Sequence, residues 1–430
     1  MKFDLQLLAN HVNVTTDVRT SEQHYPTYND LSAEMKTFYD MTLLDYAGPQ
    51  LVHDQFGQKR PIPRNGGKTI EFRGFTSLPK ALTPLTEGVT PDGQRLDVYS
   101  KTATVSQYGD YITQSDVLEL TAIDNTIVEA TKLLGKQAGV TLDTVTREVI
   151  NAGTNVIFAP KWSGSSETAV AARSGLNSTA KLTVDLVQQA VAKLKANNAP
   201  TINGDYVAII HPYVAYDLKR DPEWIDSYKY ANPGNLYTGE IGKISGVRFV
   251  ETTEAKIFRG IPLTAEAQNL TVKTNLSADT SLAVKEKITA DDVTAFAARD
   301  ADDKYIVVDG TAYAVSALVA GNAGSASITL ASSATISADK VVAPIGSAGD
   351  GGAVFSTLVV GEGAYGVTEI EGGGLQTIVK QKGSAGTADP LDQRSSVGWK
   401  AIKTAELLLP EYIVRIESCS PRYSATAAAN

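Results

Sequence analysis

The sequence predicts an α+β fold: an N-terminal arm, an extended β-hairpin loop, a long spine helix and a mixed α/β body, interrupted by a β-rich insertion domain. Three observations carry that prediction. Apolar residues recur every three or four positions from Asp124 to Asn151. Two short alternating stretches flank a proline-rich interval, with Ile70 and Phe72 on one side and Leu96 and Val98 on the other. Composition also breaks sharply after Pro262: 46 of the 93 residues from Ile261 to Ala353 are Ala, Ser, Thr or Gly.

The 430 residues suffice for two or three domains with a sizeable core. On this reading the arm covers 1–60, the hairpin loop 61–115 and the spine-helix region 116–202. A strand–helix region covers 203–260 and resumes over 354–394 after the insertion at 261–353, and return strands cover 395–430. The net charge of −9, with 20% charged and 43% apolar residues, describes a globular chain without a basic nucleic-acid footprint. One cysteine, Cys419, forms no intrachain disulfide, so the fold needs no oxidising compartment. Asp4 interrupts the N-terminal stretch, which has no apolar run of signal-peptide length, and no segment reaches the roughly 18 apolar residues of a membrane span. The expectation is a soluble protein made in a cytoplasm, with no membrane partner.

Taken in order, the first thirty residues are polar and read as an extended arm that another surface must order. Leu31, Met35 and Phe38 follow the cap candidates Asn29 and Asp30 and predict a short helix over Leu31–Tyr46. The hairpin loop contains Pro79, Pro84, Pro91 and the Asp92–Gly93 turn signal. An isolated ribbon of that length is marginal in water, so its tip should rest on a neighbouring subunit. In the spine, Gly135 and Gly139 each cost about 1 kcal/mol against alanine, which suggests a closely approaching neighbour. A second helix is expected over Val184–Ala196, a buried strand over Tyr206–Ile210 and a helix opening at Pro212.

Within the insertion, Tyr305–Val308, the Asp309–Gly310 turn and Ala312–Val319 read as a hairpin. The segment carries six basic and eleven acidic residues, more than half of the net charge. Such a break between two stretches of ordinary composition marks a domain inserted into a host loop. Val397–Lys403 and Tyr412–Glu417 read as strands around Pro410, and the terminal SATAAAN as a frayed tail.

Catalytic and cofactor patterns fail on inspection. Gly66-Gly67-Lys68-Thr69 resembles the end of a phosphate loop, but Ile62 stands where its first glycine belongs and a strand follows instead of a helix. Gly361, Gly363 and Gly366 have dinucleotide spacing, yet the following VTEIEGGG supplies no helix for a pyrophosphate. Asp300, Asp302 and Asp303 hint at calcium, but Lys304 breaks the pattern. Four scattered histidines (His11, His24, His53, His211) offer little for a metal or a base, and His211 before Pro212 reads as a strand-end residue. Cys419 reads as a small buried hydrophobe. No cofactor or metal is expected, and no enzyme.

The order of arm, hairpin loop, spine and mixed domain, in an acidic chain without catalytic residues, resembles tailed-bacteriophage major capsid proteins of the Hong Kong-97 fold. More narrowly it is similar to the family first named from a lytic coliphage and common in phages and prophages of gut Firmicutes. The stretches that carry the resemblance include LSAEMKTFYDMTLLDYAGPQLVHDQFGQKRPIPRNGGKTIEFRGF, PKALTPLTEGVTPDG, YGDYITQSDVLELTAIDN, YVAIIHPYVAYDL, GEIGKISGVRFVET, LVVGEGAYGV and DPLDQRSSVGWK. They leave residues 261–353 without an identified counterpart.

The resemblance implies a self-assembling icosahedral shell of pentamers and hexamers enclosing double-stranded DNA, held without sequence-specific binding and located in the virion after assembly in the host cytoplasm. It makes the loop an extended arm over the adjacent subunit, the spine and return strands the peripheral domain, and the region from Asn203 the axial domain. It also implies separate scaffolding and portal proteins and, in some relatives, a decoration protein. Phe72, Lys80, Leu96 and Val98 on the loop, with Leu134 and Leu142 on the spine, are the candidate assembly residues. A β-rich surface adhesin is the competing reading, and it would normally bring a signal peptide.

Overall fold

The computed structural model describes residues 12–13 and 52–430, apart from short stretches at 76–77, 83, 85–86, 89, 91–92, 122–125, 165, 232–241, 267–268 and 385–388. The expected helix over Leu31–Tyr46 and nearly all of the arm lie outside the described residues. Contacts divide the chain into two units. One comprises Met1–Pro49, Lys59–Thr146 and Gly366–Glu406, the other Gln50–Gln58, Arg147–Tyr365 and Leu407–Asn430.

In the first unit, Thr69–Phe75 and Val98–Thr104 form a two-stranded antiparallel ribbon whose register runs from Thr69↔Thr104 to Phe75↔Val98. Gly74 faces Tyr99 across the ribbon, and a Cβ on Gly74 would collide with the tyrosine ring, which lies over the bare backbone. The following strand, Ser106–Ser115, pairs antiparallel with Arg394–Leu407, which also carries the edge strand Gln376–Lys380. Val12–Asn13 pairs parallel with Thr113 and Gln114.

The spine helix spans Thr126–Asn151, about 39 Å at 1.5 Å per residue. Leu134 and Ala138 pack on Val397, Trp399 and Ala401, with half-buried Leu142 beside them. Polar groups fix the register of helix on sheet: Gln137 donates to Asp110 at 2.7 Å, Trp399 Nε1 donates to Gln137 at 3.3 Å, and Lys403 Nζ donates to the Leu142 carbonyl at 2.8 Å. Gly135 faces open space, with nothing within 4 Å of the place a Cβ would occupy, so no close neighbour among the described residues explains it.

The second unit is built on a seven-stranded sheet ordered Lys243–Ile244, Val247–Glu251, Tyr206–Ile210, Val354–Val360, Ile413–Ser418 and Val156–Phe158, with Ile257–Phe258 paired to Val354–Val360. Tyr206–Ile210 and Val354–Val360 are buried along their whole length, as strands covered on both faces are. The helix Val184–Ala196 packs Leu186, Val187, Ala190, Val191 and Leu194 into this core. Asp221 Oδ2 accepts a hydrogen bond from the first backbone N–H of that helix at 3.1 Å.

The insertion forms its own antiparallel sheet, ordered Leu270–Thr271, Val341–Pro344, Tyr305–Val308, Thr311–Val319, Ser327–Ile336 and Leu276–Ala283. The two outer strands also meet: Val272 bridges Val284, and Lys273 and Lys285 donate backbone bonds to Ala283 and Thr271 at 2.9 Å each. The sheet is thereby a closed six-stranded barrel with its own apolar interior. The helix Ala290–Ala297, opened by a Thr289–Asp292 capping box, plugs it with Phe296. Asp309 and Gly310 both have positive φ, 50° and 82°, as a tight hairpin turn of this kind demands.

Several boundaries differ from those drawn on the sequence. The barrel ends near Ile345, not Ala353, because Ala348 and Ala353 are fully buried in the core of the host sheet. Its two ends meet: a Cβ on Gly260 would collide with the Ile345 carbonyl, and Gly260 N–H donates to Ser347 Oγ at 2.8 Å. Arg394–Leu407 and Ile413–Ser418, read together as return strands, belong to different sheets. The C-terminal tail is not frayed. Ser424 is buried and donates to the Ala353 carbonyl at 2.7 Å, Arg259 holds the Ala425 and Ala427 carbonyls, and Asn430 accepts from Ile257 N–H at 2.8 Å.

Candidate assembly surfaces

The ribbon carries its apolar side chains outward. Leu82 is 82% and Leu96 61% exposed, and Phe75, Leu78 and Val98 are exposed as well. Arg73 holds Glu71 through two contacts at 3.1 and 2.7 Å, and that hydrogen bonding lowers the Glu71 carboxyl below its usual range. Most of the other large apolar side chains left exposed among the described residues also lie in the first unit, including Leu120 and Leu133 near and on the spine and Ile378 and Val379 on the edge strand. A monomer rarely keeps so much apolar surface in water, and concentrations of it mark contact sites.

The six residues expected to serve assembly divide into two groups. Lys80, Leu96 and Val98 are exposed on the ribbon. Phe72 is buried on the ribbon, Leu134 is 4% exposed, and Leu142 is half-buried beside it. Among the described spine residues, the large apolar side chain left exposed is Leu133, at 61%. Helical spacing alone marks the stripe and its neighbour equally, because Leu133 and Leu134 are adjacent. Phe75, Leu78 and Leu82 lie outside the expected set, although apolar residues scattered among prolines are a signal that could have found them.

None of the chemical patterns assembles into a reactive site. His211 caps the helix Pro212–Lys219, its Nδ1 accepting from Tyr213 N–H at 3.2 Å, and burial pushes its pKa down to about 4. The Cys419 thiol is fully buried, and that burial raises its pKa. Gly66 and Gly67 form a turn into a strand, and Gly361–Gly366 a turn between two strands. Asp302 and Asp303 lie in a single 3-10 turn. Among the described residues no three His, Cys, Asp or Glu side chains gather as a metal would require, and no helix is long and apolar enough to cross a membrane.

A family model described as phage capsid protein matches residues 53–288. Two solved structures share the fold over nearly the whole length. The capsid of cyanophage P-SCSP1u is 14% identical with a TM-score of 0.54, covering 92% of this chain and 96% of that one. The capsid asymmetric unit of cyanophage Pam1 is 12% identical with a TM-score of 0.53, covering 94% and 98%. No curated protein matches the sequence. The family match ends inside segment 261–353.

Proposed function

The chain belongs to the phage capsid protein family, and on that premise we propose how its parts build a shell. It is a major capsid protein, a structural component of the virion with an α+β capsid fold. In our reading the ribbon lies over an adjacent subunit and covers its exposed Leu82, Leu96 and Val98 there. Contacts of this heterologous kind close into rings, here pentamers and hexamers. The spine and Arg394–Leu407 would form the peripheral domain, and the seven-stranded sheet the axial domain around the five- and six-fold centres. Separate scaffolding and portal proteins would direct assembly in the bacterial cytoplasm, and a decoration protein is a further candidate partner. The narrower lineage, the family named from a lytic coliphage, rests on the sequence stretches alone. We assign the chain no catalytic step.

The observation that carries the assembly reading is the apolar, outward-facing ribbon. Negative-stain imaging of the purified protein should show rings or shells. Replacing residues 76–95 by a short Gly/Ser bridge should leave a soluble subunit with unchanged melting behaviour and no particles. Normal shells from the bridged variant would remove the ribbon from assembly.

A further inference from the structure

The corner where the helix Pro212–Lys219 meets residues 420–424 departs from the acidic character of the chain. The rings of Tyr213 and Tyr423 stack 4.1 Å apart at 10°, and Tyr216 meets Tyr423 edge-on at 6.0 Å. Arg220 and Arg422 lie 5.5 and 5.8 Å from the Tyr216 ring centre, and Arg220 also donates to the Tyr216 hydroxyl at 2.9 Å. Both arginines are exposed. Burial raises the pKa of the half-buried Asp217 carboxyl beside them, and the charges of Lys181, Arg422 and Arg220 act on it in the opposite direction. Yet none of the three cations comes within ion-pair distance of a carboxylate among the described residues.

Three cations set against one carboxylate repel each other unless an anion arrives from outside. The hydrogen bond to the Tyr216 hydroxyl and the approach of both guanidiniums to its ring restrain these side chains beforehand, so less freedom is lost when they bind. Phosphate oxygens are the anionic groups that such cations contact whatever the base sequence, the part of nucleic-acid binding that positions and does not specify. We propose that this corner binds the phosphate backbone of duplex DNA, the polyanion a phage shell encloses. The proposal rests on the capsid reading for its partner and on Lys181, Arg220 and Arg422 for its chemistry.

The test uses the full-length protein and a fluorescent duplex of arbitrary sequence, titrated over a range of salt concentrations. Replacing Lys181, Arg220 and Arg422 by Gln should weaken binding at least tenfold at low salt and reduce the slope of log K against log salt by about two to three. A control replacing Lys161, Lys193 and Lys195 by Gln removes the same charge elsewhere and should bind as the wild type does. Equal weakening by both variants, or wild-type binding by the first, would overturn the proposal. So would loss of particles with DNA binding unchanged, which would make the corner a contact for an acidic face of a second copy. Thermal melting of each variant checks that it folds, and particle images of the wild type report on the capsid reading separately.

Discussion

Arg173 and Glu417, 244 residues apart in sequence, form a two-pronged ion pair with both contacts at 2.7 Å. Glu417 is fully buried on the strand Ile413–Ser418, and Arg173 lies on a surface turn with its guanidinium 3.5 Å from the centre of the Phe258 ring. Arg415 Nε approaches the same carboxylate at 2.9 Å, off the hydrogen-bonding angle. One carboxylate thus serves two guanidiniums. Glu417→Ala should cost about 3–5 kcal/mol, because it leaves buried positive charge without its partner. Urea unfolding measures this, and an unchanged midpoint would show the pair to be dispensable.

The spine offers two substitutions with opposite signs. Gly135→Ala should stabilise the subunit by about 0.5–1 kcal/mol, since the methyl group meets open space and the helix loses a flexible residue. Leu134→Asp places a carboxylate against Val397, Trp399 and Ala401 and should cost several kcal/mol, abolishing soluble subunit. Melting curves of the two variants, read together, test the helix register.

Excision of the barrel should succeed only at the right boundary. Joining Gly260 to Gly346 through a Gly/Ser bridge should leave a folded host, because the ends already touch. Extending the cut to Ala353 removes two fully buried alanines from the host core and should yield insoluble protein. The barrel expressed alone should melt cooperatively, having its own interior. Equal behaviour of both deletions would contradict this boundary.

His211 supplies a pH dependence. Its folded pKa, about 4, lies below the unfolded value of 6.5, so the unfolded chain takes up the proton first. Stability is therefore complete above pH 6.5, falls as pH drops through the interval, and levels off near pH 4. A shift of this size bounds the loss at about 3 kcal/mol. His211→Gln should flatten the stability profile between those pH values.

Local patterns in the sequence are reliable where the partner lies close by. Val184–Ala196 and Tyr206–Ile210 have the extents their periodicity and apolar run predict, and the Asp309–Gly310 turn joins the strands expected around it. What the sequence hides is pairing at a distance. Nothing near Val397 announces that its strand lies beside Tyr108–Ser115 while Ile413–Ser418 goes to another sheet. The tail is equally opaque. Its small residues look frayed by composition, and the groups that hold it, on Lys256, Ile257, Arg259 and Ala353, lie at least 71 residues earlier. The tyrosine–arginine corner is hidden for the same reason, because its charges come from three separate stretches of an acidic chain.

The bridge between Val272 and Val284 has a consequence for life in a crowd. A shell sets identical copies side by side at a local concentration that no dilute solution approaches. Any open strand edge would there find its own twin within reach, and edge-to-edge zipping would compete with the intended lattice. By closing the ring, the bridge removes that competitor at its source. The inserted domain can be repeated over a whole particle and remain indifferent to every other copy of itself.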